Sequence, residues 1–169
     1  MDEQIKIAGI VKESIVDGPG IRLVVFTQGC VHSCTGCHNP ETHSFSEGYY
    51  INIHEIVEMV RKDPLLDGIT LSGGDPFHQG RVSAALAKEI KKIGLNVITY
   101  TGYTFEEIMK EIDINIGWKE LLYETDILID GKFDIDKKSL LLKFRGSENQ
   151  RIIDVKKSLE NNNIIIANI

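Results

Sequence analysis

Short runs of apolar residues alternate along the chain with stretches in which apolar residues recur at helical spacing. The short runs are rich in β-branched side chains, which favour extended backbone. They predict six strands, the last of them short: residues 5–15, 21–27, 68–71, 96–101, 126–130 and 164–166.

The stretches between these runs predict helices. Asn52 is a suitable N-cap for a helix whose apolar positions are Ile53, Ile56, Val57 and Val60. A second helix is predicted over residues 81–93 and ends at Gly94. A third follows Thr104, which forms a capping-box pattern with Glu107, and a fourth lies around Trp118, Leu121 and Leu122. The last is predicted over 150–160 and ends at Asn161–Asn163.

Strands that alternate with helices predict a parallel sheet with right-handed crossover connections. The sequence supports five or six strand–helix units at most, fewer than the eight of a closed barrel. We therefore expect an α/β fold that forms an incomplete, open (β/α) barrel with a mostly parallel sheet. The length of 169 residues fits a single domain that spans residues 1–169.

Composition excludes some classes of function. The net charge of −6 provides no basic surface for nucleic acid, and no apolar run approaches the roughly 20 residues of a membrane span. Met1–Gln4 lack the basic and apolar regions of a secretory signal. We therefore expect a cytoplasmic protein that binds neither nucleic acid nor membrane.

All three cysteines lie together, directly after the predicted strand 21–27. Cys30, Cys34 and Cys37 have the spacing C-x3-C-x2-C, which lets three thiolates converge on one inorganic centre. Closed structural zinc sites and electron-transfer clusters usually take four protein ligands. Three cysteines on a cluster of four irons would leave one iron free to bind a small molecule.

Other interpretations of the cysteines remain open. They could be buried free thiols, or they could form a zinc site completed by His32, His38 or His43. A disulfide framework fits poorly because it would leave one cysteine unpaired.

Two further motifs follow predicted strands, at the edge of an α/β sheet where ligands usually bind. Ser72–Pro76 (Ser-Gly-Gly-Asp-Pro) follows residues 68–71, and its glycines would let a ligand approach the backbone closely. Asp130–Lys132 (Asp-Gly-Lys) follows the strand predicted at 126–130. An ordinary turn and a solvated pair of charges are the alternatives.

The cysteine spacing resembles that of the radical S-adenosylmethionine enzymes. Asp17–Arg22 (Asp-Gly-Pro-Gly-Ile-Arg), placed before the cysteines, resembles the activating enzymes of glycyl-radical proteins within that superfamily. The resemblance implies a partial barrel and one 4Fe-4S cluster whose irons are held by Cys30, Cys34 and Cys37. S-adenosylmethionine would bind the fourth iron and be cleaved by one electron to methionine and a 5′-deoxyadenosyl radical.

The same resemblance implies which residues bind S-adenosylmethionine, and no catalytic residue beyond the cluster and this cofactor. The family's Gly-Gly-Glu motif, which binds the methionine amino group, corresponds here to Gly73, Gly74 and Asp75, with aspartate in place of glutamate. Asp130 and Lys132 correspond to an Asp-x-Lys whose lysine meets the cofactor's carboxylate. The adenine side is implied to be Gly36, Cys37, His38 and Asn39.

Gly36 helps to distinguish between groups of activating enzymes, because many of these enzymes carry an aromatic residue before the third cysteine. Glycine there, with the segments 100–103, 128–133 and 144–151, is similar to the activating enzymes of anaerobic ribonucleoside-triphosphate reductases. The implied partners are the large subunit of that reductase, whose glycine would lose a hydrogen atom, and an electron donor such as flavodoxin.

Three alternatives stay open at this point. They are an activase of pyruvate formate-lyase or another glycyl-radical enzyme, a radical S-adenosylmethionine enzyme acting on a small molecule, and a non-catalytic zinc or iron–sulfur module. Arg145 and Arg151 could contact the partner or the cofactor, or could be ordinary surface arginines. Tyr100 and Tyr103 could line the cavity or simply pack.

Overall fold

A computed structural model of the chain describes residues 3–169. The expectation that Met1–Gln4 form no secretory signal therefore lies partly outside the described residues. Within them the structure has seven strands: β1 Gln4–Ser14, β2 Arg22–Thr27, β3 Tyr49–Asn52, β4 Gly68–Gly73, β5 Asn96–Tyr100, β6 Ile127–Asp130 and β7 Arg151–Asp154. The α-helices are α1 Ile53–Arg61, α2 Gly80–Lys92, α3 Phe105–Lys110, α4 Trp118–Glu124 and α5 Val155–Asn161.

All seven strands form one sheet in the order β3-β1-β2-β4-β5-β6-β7. The four central strands, β2, β4, β5 and β6, pair in parallel, which confirms the predicted parallel centre. The sheet is antiparallel towards its two edges, where β1 pairs with β2 and β3, and β7 pairs with β6. Within the described residues, no α-helix lies between β1 and β2 or between β6 and β7, and such a connection favours antiparallel pairing. β3 follows β2 and the cysteine loop and pairs with the outer edge of β1.

The predicted helix over 150–160 is wrong in its first part. Arg151–Asp154 form β7, and only Val155–Asn161 are helical. Ile152 and Ile153 are β-branched and pair with β6, whereas Asp154 caps α5 by accepting a hydrogen bond from the Lys157 N–H. The strand predicted at 164–166 is reduced to a single bridge between Ile166 and Ile153, and β3 was not predicted.

The helix caps that the sequence predicts are present. The Asn52 side chain accepts a hydrogen bond from the His54 N–H at 2.9 Å. The Thr104 hydroxyl accepts one from the Glu107 N–H at 3.1 Å. Both satisfy backbone groups that would otherwise lack partners in the first helical turn.

The two faces of the sheet have different coverings. Leu23 and Val25 of β2, with Ile69 and Leu71 of β4, belong to the main core, together with buried residues of all five helices. The residues between them, such as Val24 and Thr70, point to the other face because side chains alternate along a strand. That second face carries the candidate site.

No helix within residues 3–169 combines the length and the apolar character that crossing a membrane requires.

Candidate functional site

A cavity of about 440 Å³ opens on the second face of the sheet, at the carboxyl ends of the parallel strands. Phe26, Ser72 and Tyr100 line it from β2, β4 and β5. The cysteine segment closes one side of the cavity, and residues 131–150 close another. The cavity and the cysteine segment therefore lie together beyond the carboxyl ends of the strands, where ligands usually bind in α/β folds.

The cysteine loop leaves β2 directly and is fixed to the protein at its base. The Gly29 N–H donates to the Thr42 carbonyl at 2.7 Å, and the Cys30 N–H donates to the His43 carbonyl at 3.1 Å. These two backbone hydrogen bonds join the start of the cysteine loop to residues 42–43 at its end. Cys30, Cys34 and Cys37 are all unpaired thiols, all half-buried, and all line the cavity.

Each cysteine sulfur is met by a backbone N–H group. The donors are His32 for Cys30, Phe133 for Cys34 and Asn39 for Cys37, the last at 3.5 Å. Such donors stabilise a thiolate and tune the potential of a cluster bound to it.

Burial opposes the ionisation of two of these thiols, Cys30 and Cys34. Burial is the main reason that the pKa of Cys30 is raised to about 11. The charges of Asp75, Cys34 and Cys37 also raise this pKa, whereas the hydrogen bond from the His32 N–H lowers it. Burial also raises the pKa of Cys34, and the Phe133 N–H and the Lys132 ammonium lower it in part. Cys30 and Cys34 therefore need a cation nearby to ionise readily, and all three cysteines have an N–H donor, so the segment is suited to hold a cationic cluster through its thiolates.

Gly73 and Gly74 line the cavity, and packing requires both to be glycine. A Cβ on Gly73, whose φ is +92°, would lie 2.4 Å from the Thr27 backbone nitrogen. A Cβ on Gly74 would lie 2.3 Å from the Gly29 carbonyl oxygen. These glycines allow the loop after β4 to pass close to the start of the cysteine loop, in addition to leaving backbone open to a ligand.

Asp75 does not line the cavity. It is fully buried, and its carboxylate accepts hydrogen bonds from Phe77 N–H at 3.0 Å, Thr101 Oγ1 at 2.9 Å and Gly102 N–H at 3.0 Å. The His32 Nε2 lies 2.7 Å from the same carboxylate. The structure therefore places Asp75 behind the cysteine loop, as the point where three loops meet.

Two histidines lie beside Cys30. Cys30, His32 and His78 each place a ligand atom within 4.8 Å of the others. Burial lowers the pKa of His78, which favours a neutral ring, and its Nε2 accepts the Val31 N–H at 3.4 Å. Both rings thus already have protein partners. Within residues 3–169, neither His38 nor His43, proposed above as zinc ligands, joins this group.

Asp130 is also buried and already paired. Its carboxylate accepts from the Phe105 N–H at 2.8 Å and from Arg151 through Nε at 3.1 Å and through a second guanidinium nitrogen at 2.5 Å. Lys132 is exposed and lines a neighbouring cleft with Asp130 and Arg151, next to the main cavity. The structure therefore gives Arg151, whose role the sequence left open, a structural partner in Asp130.

Of the four residues predicted to bind the adenine, three line the cavity and one does not. Cys37, His38 and Asn39 line the cavity, and the His38 ring packs on Phe133 with centroids 5.0 Å apart. Gly36 lies outside the lining; its φ is +76°, and a Cβ added there would lie 2.8 Å from Ile135 Cδ1.

Several lining residues were not predicted as site residues. Val16, Leu142 and Phe144 supply apolar lining, and the Tyr100 hydroxyl donates to the Phe144 carbonyl. No spacing rule links these distant segments, although Tyr100 and Phe144 lie in segments that contributed to the resemblance. Arg145 also lines the cavity, whereas Tyr103 packs behind it against His32.

Comparisons with known proteins agree with this geometry. Residues 16–153 match the family model described as a 4Fe-4S single cluster domain. The anaerobic ribonucleoside-triphosphate reductase-activating protein of Vibrio cholerae serotype O1 is 35% identical over 147 residues, covering 82% of this chain and 90% of the relative. The protein of that name from Enterobacteria phage T4 is 35% identical over 146 residues, covering 81% of this chain and 86% of the relative.

A third relative of the same name, from Escherichia coli strain K12, is 33% identical over 151 residues and covers 80% of this chain and 90% of its own length. Among solved structures, QueE from Escherichia coli overlaps 60% of this chain and 53% of its own, with a TM-score of 0.48 and 15% identity. That structural likeness is too slight to bear on function.

Proposed function

The chain belongs to the anaerobic ribonucleoside-triphosphate reductase-activating proteins and to the 4Fe-4S single cluster domain family, and we propose that it installs a glycyl radical on the large subunit of that reductase. The observation that carries the proposal is the convergence of all three cysteines of the chain on one cavity at the carboxyl ends of the parallel strands. No fourth cysteine exists to close a site, so a bound cluster would keep one iron available to a cofactor.

Cys30, Cys34 and Cys37 would hold the cluster, and the cavity beside them would hold S-adenosylmethionine. When bound, the cluster and this cofactor together supply the one-electron chemistry that removes a hydrogen atom from a glycine. The chain's own residues orient the groups and exclude water, since the reaction requires no protein acid or base.

The cavity supports some of the predicted cofactor contacts more than others. The backbone at Gly73 and Gly74 faces the cavity and would meet the methionine end of the cofactor. The backbone of Cys37, His38 and Asn39 would meet the adenine.

The three charged residues predicted to bind the cofactor differ in whether they are free to do so. The Lys132 ammonium is a suitable partner for the cofactor's carboxylate if its side chain turns from the neighbouring cleft. Asp75 and Asp130 have their carboxylates occupied by protein donors, so we assign them to positioning the loops around the cavity.

The sheet would form the incomplete, open barrel expected from the sequence, as a single domain, with the helices outside and the cavity inside. An open side suits a substrate that is a segment of another protein. We further propose a cytoplasmic location, because the free thiols need a reducing environment, and an electron donor such as flavodoxin.

The test is anaerobic reconstitution with iron and sulfide, followed by electron paramagnetic resonance of the reduced protein. We expect about four irons per chain, a cluster signal that changes when S-adenosylmethionine is added, and an organic doublet after the reductase is added. Cys34→Ala should abolish cofactor cleavage, whereas Thr35→Ala, an exposed neighbour in the same loop, should retain it.

Zinc without iron or sulfide in folded wild-type protein would contradict the proposal. It would favour a metal-binding module built on Cys30, His32 and His78.

A further inference from the structure

Four large apolar side chains stand in solvent on two segments that also supply lining residues to the cavity. Leu140 and Leu141 are 90% and 94% exposed, and Ile15 and Val16 are 73% and 72% exposed. Single exposed apolar residues are common on protein surfaces, but a group beside a functional cavity marks an interaction site. We call Ile15, Val16, Leu140 and Leu141 the apolar rim.

The two halves of the apolar rim belong to the same opening. Val16 lines the cavity from one segment, and Leu142, next to Leu141, lines it from the other. The rim is therefore continuous with the cavity that would hold the cofactor.

Both halves are also anchored to the sheet. The Thr70 hydroxyl donates to the Asp17 carbonyl at 2.8 Å, which holds residues 15–17 over β4. The Tyr100 hydroxyl donates to the Phe144 carbonyl and ties the other half to β5. The rim is thus presented on fixed backbone, although its side chains are in water.

The charge of the rim segment that contains Leu140 and Leu141 differs from that of the chain as a whole. The net charge is −6, yet residues 137–147 contain four basic side chains and no acidic one. Lys137, Lys138 and Lys143 are exposed, and none of the ion pairs within residues 3–169 includes them. These lysines are available to an acidic partner.

We propose that the apolar rim, with Lys137, Lys138 and Lys143 beside it, is the docking surface for the glycine-bearing segment of the reductase subunit. This inference rests on the proposed function. A cavity of about 440 Å³, much of which the cofactor would fill, is too small for a folded domain, so the target glycine would have to reach it on an extended segment. The residues on either side of the target glycine must therefore lie across the cavity mouth.

The composition of the surface defines its partner. Apolar side chains flanking the glycine would cover the rim, and carboxylates beyond them would meet the lysines. Burying exposed leucine side chains stabilises such a contact, and the charges direct its approach.

The test uses the reconstituted holoenzyme and the intact reductase subunit. The double variant Leu140→Ser/Leu141→Ser should cleave S-adenosylmethionine with dithionite at the wild-type rate when no reductase is present. Its KM for the reductase, followed by the glycyl doublet, should rise at least about tenfold, the loss expected when central apolar contacts are removed. Neither leucine lines the cavity, so cofactor chemistry should not depend on them.

The matched control is Ile114→Ser/Ile116→Ser, which removes two apolar side chains that are 76% and 82% exposed between α3 and α4. It should leave the KM unchanged. The KM of the wild type should also rise with ionic strength, and Lys137→Glu/Lys138→Glu should reduce that dependence.

An unchanged KM in the rim variant would overturn the docking proposal while leaving the proposed function intact. So would a rim variant that turns a dimer of this chain into a monomer without changing the KM, because the rim would then join two copies. If the wild type itself fails to cleave S-adenosylmethionine, the proposed function fails first, and the docking proposal fails with it.

Discussion

Arg22 is fully buried, yet it forms no ion pair within the described residues. Its guanidinium donates to the Thr70 hydroxyl at 2.8 Å, to the Ile69 carbonyl at 2.6 Å and to the Pro19 carbonyl at 3.3 Å. Burial lowers the pKa of Arg22 to about 10, so the group remains charged at neutral pH. The arginine of the Asp-Gly-Pro-Gly-Ile-Arg motif therefore holds the preceding turn against β4.

Replacing Arg22 by methionine tests this role. Arg22→Met keeps the apolar stem but leaves buried acceptors without a donor, so the free energy of unfolding should fall by about 2–4 kcal/mol. Urea titration of the metal-free protein measures the change. Arg61→Met, which removes an exposed arginine paired with Glu58, should change it by under about 1 kcal/mol. Equal effects of the two substitutions would contradict the role given to Arg22.

At the scale of elements, a group of charges joins β6, β7 and α3. Arg151 of β7 binds the buried Asp130 of β6 and the exposed Glu106 of α3, the latter at 2.6 Å. The hydrogen bond from Arg151 lowers the pKa of Glu106. The position of β7, which the sequence pattern had assigned to a helix, is fixed by this arrangement together with its pairing to β6.

The pH dependence of this contact has a definite sign. Since the pKa of Glu106 is lowered by folding, its ionised form stabilises the protein above its ordinary pKa of 4.5, and the stabilisation is lost as the pH falls through the lowered value. Because Glu106 is exposed, Glu106→Gln should reduce stability at pH 7 by under about 1 kcal/mol and have no effect at low pH.

Thermal unfolding of the two proteins across pH would show this difference. Glu47→Gln, in an exposed loop and outside the described ion pairs, is the control. A constant difference between wild type and Glu106→Gln at all pH values would contradict the assignment.

At the scale of the whole molecule, Asp75 connects the loops that form the site. It binds its own turn after β4 through Phe77, the exit of β5 through Thr101 and Gly102, and the cysteine loop through His32. A single buried carboxylate therefore sets how the cysteine loop lies relative to two strands. Such networks are sensitive because every donor in them needs the negative acceptor.

Asp75→Asn is nearly isosteric but directs an amide towards N–H and O–H donors. The free energy of unfolding should fall by about 1–3 kcal/mol, and the reconstituted cluster should lose iron faster than in the wild type. Asp113→Asn, at an exposed position, is the control. Normal stability and iron retention with weaker binding of S-adenosylmethionine would instead support the cofactor contact first predicted for Asp75.

The sequence allowed the parallel centre, the helix caps and the position of the site to be predicted, because each depends on local patterns. Asn52 and Thr104 cap helices through atoms two or three residues away. The cysteine spacing confines three thiols to one loop whatever the surrounding fold. The helix predicted over 150–160 failed at Arg151–Asp154 because pairing with β6 depends on a strand twenty residues earlier.

By itself, therefore, the sequence determined which residues could bind a cluster and where the loop bearing them lies. Which neighbouring groups face the cavity depends on how the loops pack, and it could not be predicted from the sequence. Asp75 and Asp130 lie at strand ends, where a cofactor ligand is expected, but their carboxylates accept hydrogen bonds from donors in other segments. Val16 and Leu142 lie 126 positions apart and line one opening. Contacts between distant segments depend on how the sheet and its loops pack, and the local spacing of residues does not determine that packing.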